Sequence, residues 1–216
     1  MVKLMFRFLK QDDKAIMGLT LTQLAIMIAT AIILAGLASI LFDSTWQQNQ
    51  KMKQIAEHIS SSLVSIDNAW FETHKDIYLS RDFQGYTITI SSSTIEVSSV
   101  KSSSNMIRKS LLVHPLIRTC SDEWVTAEQL HTYLYQYYGH HGTKEDPIPE
   151  TSGVYPYLNN VTNNTFFTYS LQPYVIDKKT EITLDKVLIY IDENQNGMWE
   201  KTEHILDYVL LYQCSR

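Results

Sequence analysis

No Gly-x-Ser-x-Gly elbow, no phosphate-binding loop and no dinucleotide fingerprint occurs in this 216-residue chain. The nucleophile turn and the glycine cradles that those chemistries require are therefore missing. Only two cysteines are present, and they lie far apart, which excludes the paired Cys spacing of a zinc site. The seven histidines form no catalytic pattern. His140 and His141, with Glu145 and Asp146 nearby, read as a solvated loop rather than a transition-metal site. Bases are also scarce: Lys and Arg number 18 against 23 Asp and Glu, for a formal charge of −5. That balance weighs against broad nucleic-acid binding. One stretch lacks acid instead. Between Glu96 and Asp122 stand Lys101, Arg108, Lys109 and Arg118, read as a solvated loop or strand rather than a DNA-contacting patch. There are no internal repeats. The composition points to a chain that is not an enzyme.

Charge is wholly absent from Leu24 to Phe42, a run of 19 residues. At about 1.5 Å per helical residue this run spans roughly 28 Å, close to a bilayer core. Ahead of it, Lys3, Arg7, Lys10 and Lys14 stand against Asp12 and Asp13, a net +2 over residues 1–18. The far flank opens with Asp43 and has no base until Lys51. The positive-inside rule places the leader in the cytoplasm and the carboxy-terminal bulk outside. Two other readings stay open. Small residues from Ala35 to Ser39 allow conventional signal-peptide cleavage, and a plain single-pass anchor fits the same run. Beyond Gly18 the formal charge is −7, because the leader holds four of the 18 bases and two of the 23 acids. The remainder of the chain past the apolar run, about 170 residues, suffices for one compact domain.

Periodicity supplies the next elements. Ile55, Ile59, Leu63, Ile66 and Trp70 recur at spacings of four, four, three and four. This stripe predicts that the helix continues, amphipathic, over residues 43–72. Tyr86–Ile90 and Thr94–Ser98 alternate around Ser91–Ser93 and read as a β-hairpin. Lys101–Asn105 reads as a serine-rich loop, and Met106–Ile117 as ambiguous. Thr126-Ala-Glu-Gln129 fits a capping box, placing a helix over Ala127–Tyr138 with Leu130, Leu134 and Tyr137 inward and Gly139 as its stop. Residues 139–165 read as a long surface loop. Phe166–Ile176, Val187–Ile191 and His204–Tyr212 read as strands. The expected fold class is α+β: a long amino-terminal helix packed on an antiparallel sheet, with a short inserted helix. The expected divisions are a leader (1–18), a membrane helix (19–42), its amphipathic continuation (43–72) and a β-rich head (73–216).

One stretch carries metal chemistry. Asp192-Glu-Asn194-Gln-Asn196-Gly197-Met198-Trp-Glu200-Lys-Thr-Glu203 matches every specified position of a twelve-residue calcium loop. Calcium is a hard cation that takes six to eight oxygens. Asp192, Asn194 and Asn196 offer alternate side-chain oxygens, and Met198 its carbonyl. Glu200 acts through water and Glu203 bidentately, while Gly197 permits the turn. Asn196-Gly197 is also a hairpin signal, so a polar turn between two strands is the alternative.

Gly18-Leu-Thr-Leu-Thr-Gln23-Leu-Ala-Ile-Met-Ile-Ala29 closes the basic leader and opens the apolar run. It resembles the amino-terminal signature of type IV prepilins and type II secretion pseudopilins, which reads Gly, then Phe-Thr-Leu-Ile-Glu-Leu, then an aliphatic helix. The chain departs from it in having Leu19 for Phe, Gln23 for Glu, Ile40 for a frequent Pro, and a long leader. The strand Val187-Leu-Ile-Tyr-Ile-Asp192 and the turn after it resemble the carboxy-terminal region of FimT/GspH-type minor pilins. The resemblance implies a pilin-like fold, and cleavage between Gly18 and Leu19 by a prepilin peptidase with N-methylation of Leu19. It implies a single-pass inner-membrane protein with an extracytoplasmic head, later part of a pilus or pseudopilus. Other pilins and an inner-membrane assembly platform are the implied partners. Family members without the Glu at the position of Gln23 tend to be minor subunits. Many pilins close the carboxy-terminal region with one disulfide, which here implies a Cys120–Cys214 bond, favoured by an oxidising compartment. The rival reading is a single-pass anchored binding module, for adhesion or DNA uptake, that does not polymerise.

Overall fold

A computed structural model describes residues 21–79, 83–100 and 102–214. The chain divides into two compact units between Gln48 and Asn49. Helix α1, Leu21–Asp67, supplies the described part of the first unit and the opening helix of the second.

In the first unit the window Thr22–Ser39 has a mean hydropathy of 1.9, and none of it is buried. It is the one described helix long and apolar enough to cross a membrane. Its polar groups are few. Thr30 Oγ1 donates to the Ile26 carbonyl at 2.7 Å, one turn earlier, so the hydroxyl needs no water.

The second unit is α+β and rests on two sheets. The strands are β1 (Thr73–Ile77), β2 (Tyr86–Ile90), β3 (Thr94–Ser99), β4 (Ser102–Ser110), β5 (Leu116–Arg118), β6 (Ile148–Pro149), β7 (Tyr174–Val175), β8 (Ile182–Asp192) and β9 (Ile205–Tyr212). One sheet runs β4-β3-β2-β7, the other β1-β8-β9-β5 with β6 paired to β8. Pairing is antiparallel except for β5 on β9 and β6 on β8. The β2–β3 hairpin sets Ile90 opposite Ile95, as the alternation predicts.

Two cores arise from the period-two geometry of β8 and β9. Ile182 and Leu184, with Val209 and Leu211, face the stripe Met52, Ile55, Ile59, Leu63 and Ile66 of α1. Val187, Ile189, Ile191 and Leu210 face the opposite way, toward helices α2 (Ala127–Tyr138) and α3 (Val154–Leu171). The central sheet is therefore covered on both faces, and β8 is buried along nearly its whole length.

The sequence expectation needs five corrections. Helix α1 ends at Asp67, not near residue 72. Trp70 lies past that end and is 95% exposed rather than part of the stripe. The stop is tertiary: the buried Lys186 ammonium on β8 donates to the Asp67 carbonyl and pairs with Asp207 at 2.8 Å. A cation there complements the negative end of the helix dipole. Second, α3 replaces the carboxy-terminal part of the expected loop 139–165 and most of the expected strand 166–176. Its many Asn and Thr residues mask an inward row of Val154, Leu158, Val161 and Tyr169. Third, the expected serine loop is mostly strand, because β4 begins at Ser102 and gains ladder bonds from β3. Fourth, β8 starts at Ile182 rather than Val187. Fifth, α2 keeps its capping box and its Gly139 stop, but buries Leu130, Leu134 and His131 while Tyr137 is 62% exposed.

Candidate functional site

The loop Asp192–Glu203 joins β8 to β9, so two long paired strands fix its ends. Asp192 is the last residue of β8 and only 2% exposed. Its Oδ1 accepts from the Asn196 amide at 3.2 Å and its Oδ2 from the Gly197 amide at 2.8 Å. Asn194 Oδ1 accepts from the Asn196 amide at 3.0 Å, and Asn196 Oδ1 from the Met198 amide at 2.8 Å. From the other end, Glu203 Oε1 accepts from the Glu193 and Asn194 amides at 3.0 and 3.1 Å, and its Oε2 from the Glu200 amide at 2.7 Å. Asn196 Nδ2 donates to Glu200 Oε1 at 3.0 Å. Gly197 has φ 81°, and Gln195 φ 59°, so the turn needs left-handed backbone at two places.

The first and last side chains of the motif thus hold the loop closed by accepting backbone amides. Each carboxylate oxygen has two lone-pair directions, so both Asp192 oxygens and Glu203 Oε2, which accept one N–H each, keep capacity for a cation, whereas Glu203 Oε1 already accepts two. Among the described residues, no three His, Cys, Asp or Glu side chains are placed to hold a metal ion together. The motif's donor set is mixed, drawing on two Asn and one carbonyl besides its acids. Met198 is 66% exposed. Trp199 turns back onto β8, edge-on to Tyr190 with ring centres 5.1 Å apart. Its indole nitrogen is buried with no hydrogen-bond partner among the described residues.

A staple across the loop's base carries no motif signal. Glu193 hydrogen-bonds the His204 ring and also accepts from the His204 amide at 3.2 Å. The pair raises the His204 imidazole above its ordinary value and lowers the Glu193 carboxyl. Both groups are solvent-facing. Only the strand register brings positions 193 and 204 together, and no local pattern marks them.

The other expected site residues are dispersed. Gly18 and Leu19 lie outside the described residues. Gln23 lies on α1, exposed, in the uncharged turns. Cys120 and Cys214 are bridged, with Cα atoms 5.7 Å apart, tying the segment after β5 to the end of β9. The basic stretch does not act as one patch. Arg118 is 7% exposed, donates to the Trp124 carbonyl at 3.0 Å and lies 3.9 Å over the Trp124 ring. Arg108 pairs with Glu96 at 2.8 Å, and Lys101 lies outside the described residues. His140 and His141 sit in a loop, as expected, which Asp146 closes by binding the His140 ring at 2.8 Å and the His141 amide at 2.7 Å. Comparison with known proteins finds no matching family model, no matching curated protein and no matching solved structure.

Proposed function

We propose that this chain is a minor pilin or pseudopilin, a structural and assembly subunit of a type IV pilus or a type II secretion pseudopilus. The observation that carries the reading is a charge-free, wholly exposed helical span at Thr22–Ser39, ahead of a separately compact α+β unit. An apolar surface of that length requires lipid or the matching helices of neighbouring subunits. In this reading a prepilin peptidase removes residues 1–18 and Leu19 becomes the N-methylated terminus. The chain waits in the inner membrane with its carboxy-terminal unit outside, until the assembly platform moves it into a filament. Gln23 makes it a low-copy subunit, since its amide offers hydrogen bonds but no charge to a neighbouring amino terminus.

Mass spectrometry of the membrane-extracted protein tests this. The expected product begins at N-methyl-Leu19, and Gly18→Glu blocks its formation by placing a charged side chain beside the scissile bond. An intact Met1 terminus in cells with active peptidase overturns the reading in favour of an anchored module that does not polymerise.

The same reading assigns calcium to the Asp192–Glu203 loop, with Asp192, Asn194, Asn196, Met198, Glu200 and Glu203 as ligands. Extracellular calcium modules bind at about 10⁻⁴ to 10⁻³ M. At about 100 times the dissociation constant, linkage adds about 2.7 kcal/mol of stability. Thermal unfolding with calcium and with chelator measures this, and Trp199 fluorescence reports the titration. Asp192→Ala removes the response. An unchanged midpoint with a flat titration leaves the loop as a hairpin turn.

A further inference from the structure

Two histidines in the second unit each face acceptors with both ring nitrogens. His131, on α2 and only 8% exposed, has Nδ1 2.7 Å from the His141 carbonyl and Nε2 2.8 Å from Glu72 Oε1. His74, on β1, has Nδ1 2.6 Å from Asp185 Oδ1 and Nε2 3.2 Å from Asp76 Oδ1. A neutral imidazole carries one N–H and can satisfy only one such acceptor; the other nitrogen would set a lone pair against a lone pair. Two acceptors at hydrogen-bond distance demand two ring protons. A carbonyl oxygen never donates, and the three carboxylates already accept elsewhere. Glu72 Oε1 accepts from the Leu188 amide at 2.9 Å. Asp185 Oδ2 accepts from the Ala127 amide and the Tyr212 hydroxyl, each at 3.1 Å. Asp76 Oδ1 accepts from Thr183 Oγ1 at 2.9 Å.

We propose that His131 and His74 are imidazolium ions in the folded protein and form a proton-operated latch, which holds α2 and the edge strand β1 to the central sheet. The placement supports a latch rather than two isolated pairs. His131 joins α2 to Glu72, the residue just before β1. Asp185, in the middle of β8, receives His74 from β1, the first amide of α2 and the Tyr212 hydroxyl of β9. Both histidines line one polar groove of about 1070 Å³. The other titratable side chains lining it are Glu128 on α2, His141, whose ring stacks on Tyr135, Tyr212 on β9 and Lys186 on β8, and Lys186 is held by Asp207. Within the groove, the imidazolium ions are the cations set against Glu72 and Asp185.

Burial is the largest single influence on His131 and pushes its value down, yet the Glu72 hydrogen bond, the His141 carbonyl and the Glu72 charge together raise it above 6.5. Burial also acts upward on Glu72, and the bonds from His131 and Leu188 outweigh it to hold the carboxyl below 4.5. His74 is raised too, against burial, by Asp185 and Asp76. The His74 ring is 43% exposed, so solvent screens it and His131 is the stronger arm. A raised histidine stabilises fully below its unfolded value of about 6.5, and that contribution is lost as pH rises through the folded value. The depressed Glu72 acts at the other end, its contribution lost as pH falls through its own folded value. The latch is closed below about pH 6.5 and opens as pH rises through the folded value of His131.

Histidine-selective ¹⁵N NMR of the full-length chain in detergent micelles tests this without a variant. We expect both ring nitrogens of His131 to show protonated shifts in mildly acidic medium, with a deprotonation midpoint above 6.5. A midpoint at or below 6.5, with a pyridine-type nitrogen persisting on the acid side, overturns the proposal. Amide hydrogen exchange along α2, corrected for its intrinsic pH dependence, supplies the second readout. Protection should fall severalfold as pH rises through the His131 midpoint, and Glu72→Gln should lower that midpoint and shift the fall with it. Protection that ignores the His131 titration would mean that the histidine is charged but latches nothing.

Discussion

The two halves of α1 share one backbone and live in different surroundings. Between Thr22 and Ser39 no turn carries a charge and polar residues are few, and Leu34 and Leu37 are 61% and 53% exposed. From Met52 to Ile66 apolar residues recur every three or four positions, and Ile55, Ile59 and Leu63 are fully buried. Helicity is common to both, so helicity does not explain either. The period of the apolar residues does: one stripe seeks one sheet, whereas an apolar circumference seeks an apolar medium. The carboxy-terminal half is a component of a folded core. The amino-terminal half is exposed over the whole of its apolar span, Thr22–Ser39.

This contrast predicts where damage matters. The largest effect should come from Cys120→Ser combined with Cys214→Ser. The bond spans a sequence separation of 94, for which the chain-entropy account gives about 4–5 kcal/mol. Denaturant unfolding in detergent should show that loss in the second unit, with the residual helical signal of the apolar span unchanged. Next, Leu63→Ala should cost about 2–5 kcal/mol through the cavity it leaves. Leu34→Ala should change the same transition by no more than about 0.5 kcal/mol. Equal losses at the two leucines would erase the distinction. Smaller again is Thr126→Ala, which removes the acceptor for the Gln129 amide at 3.1 Å and should cost about 1 kcal/mol. Smallest is Trp70→Ala. The side chain is 95% exposed, so a shift beyond about 0.5 kcal/mol would place Trp70 in a core it does not join.

Elements with a local signature were legible. The hairpin of β2 and β3 announces itself by alternation around three serines, α2 by a capping box and a terminal glycine, and the apolar half of α1 by its lack of charge. The candidate calcium loop was legible as a motif, and it lies between two paired strands as those strands' own patterns imply. Helix α3 was not legible. Asn159, Asn160, Asn163 and Asn164 carry turn and cap preferences, and Gly153 precedes them in left-handed backbone with φ 85°. The inward row from Val154 to Tyr169 prevails because β8 and β9 present a second apolar face that needs covering.

The sequence by itself determined the uncharged span, the amphipathic continuation of its helix, the hairpin, the capped α2 and the order of oxygen donors from Asp192 to Glu203. Each of these is a pattern of residues close together in the chain, read from steps of about two to four positions or from one unbroken run. Only the tertiary structure decided the end of α1, the existence of α3, the inward turn of Arg118 and the pairings His131–Glu72, His74–Asp185 and Lys186–Asp207. Those partners are separated by as many as 111 positions in the chain. A charge in a sequence shows no partner until the fold has removed the water around it, and burial then makes the partner obligatory.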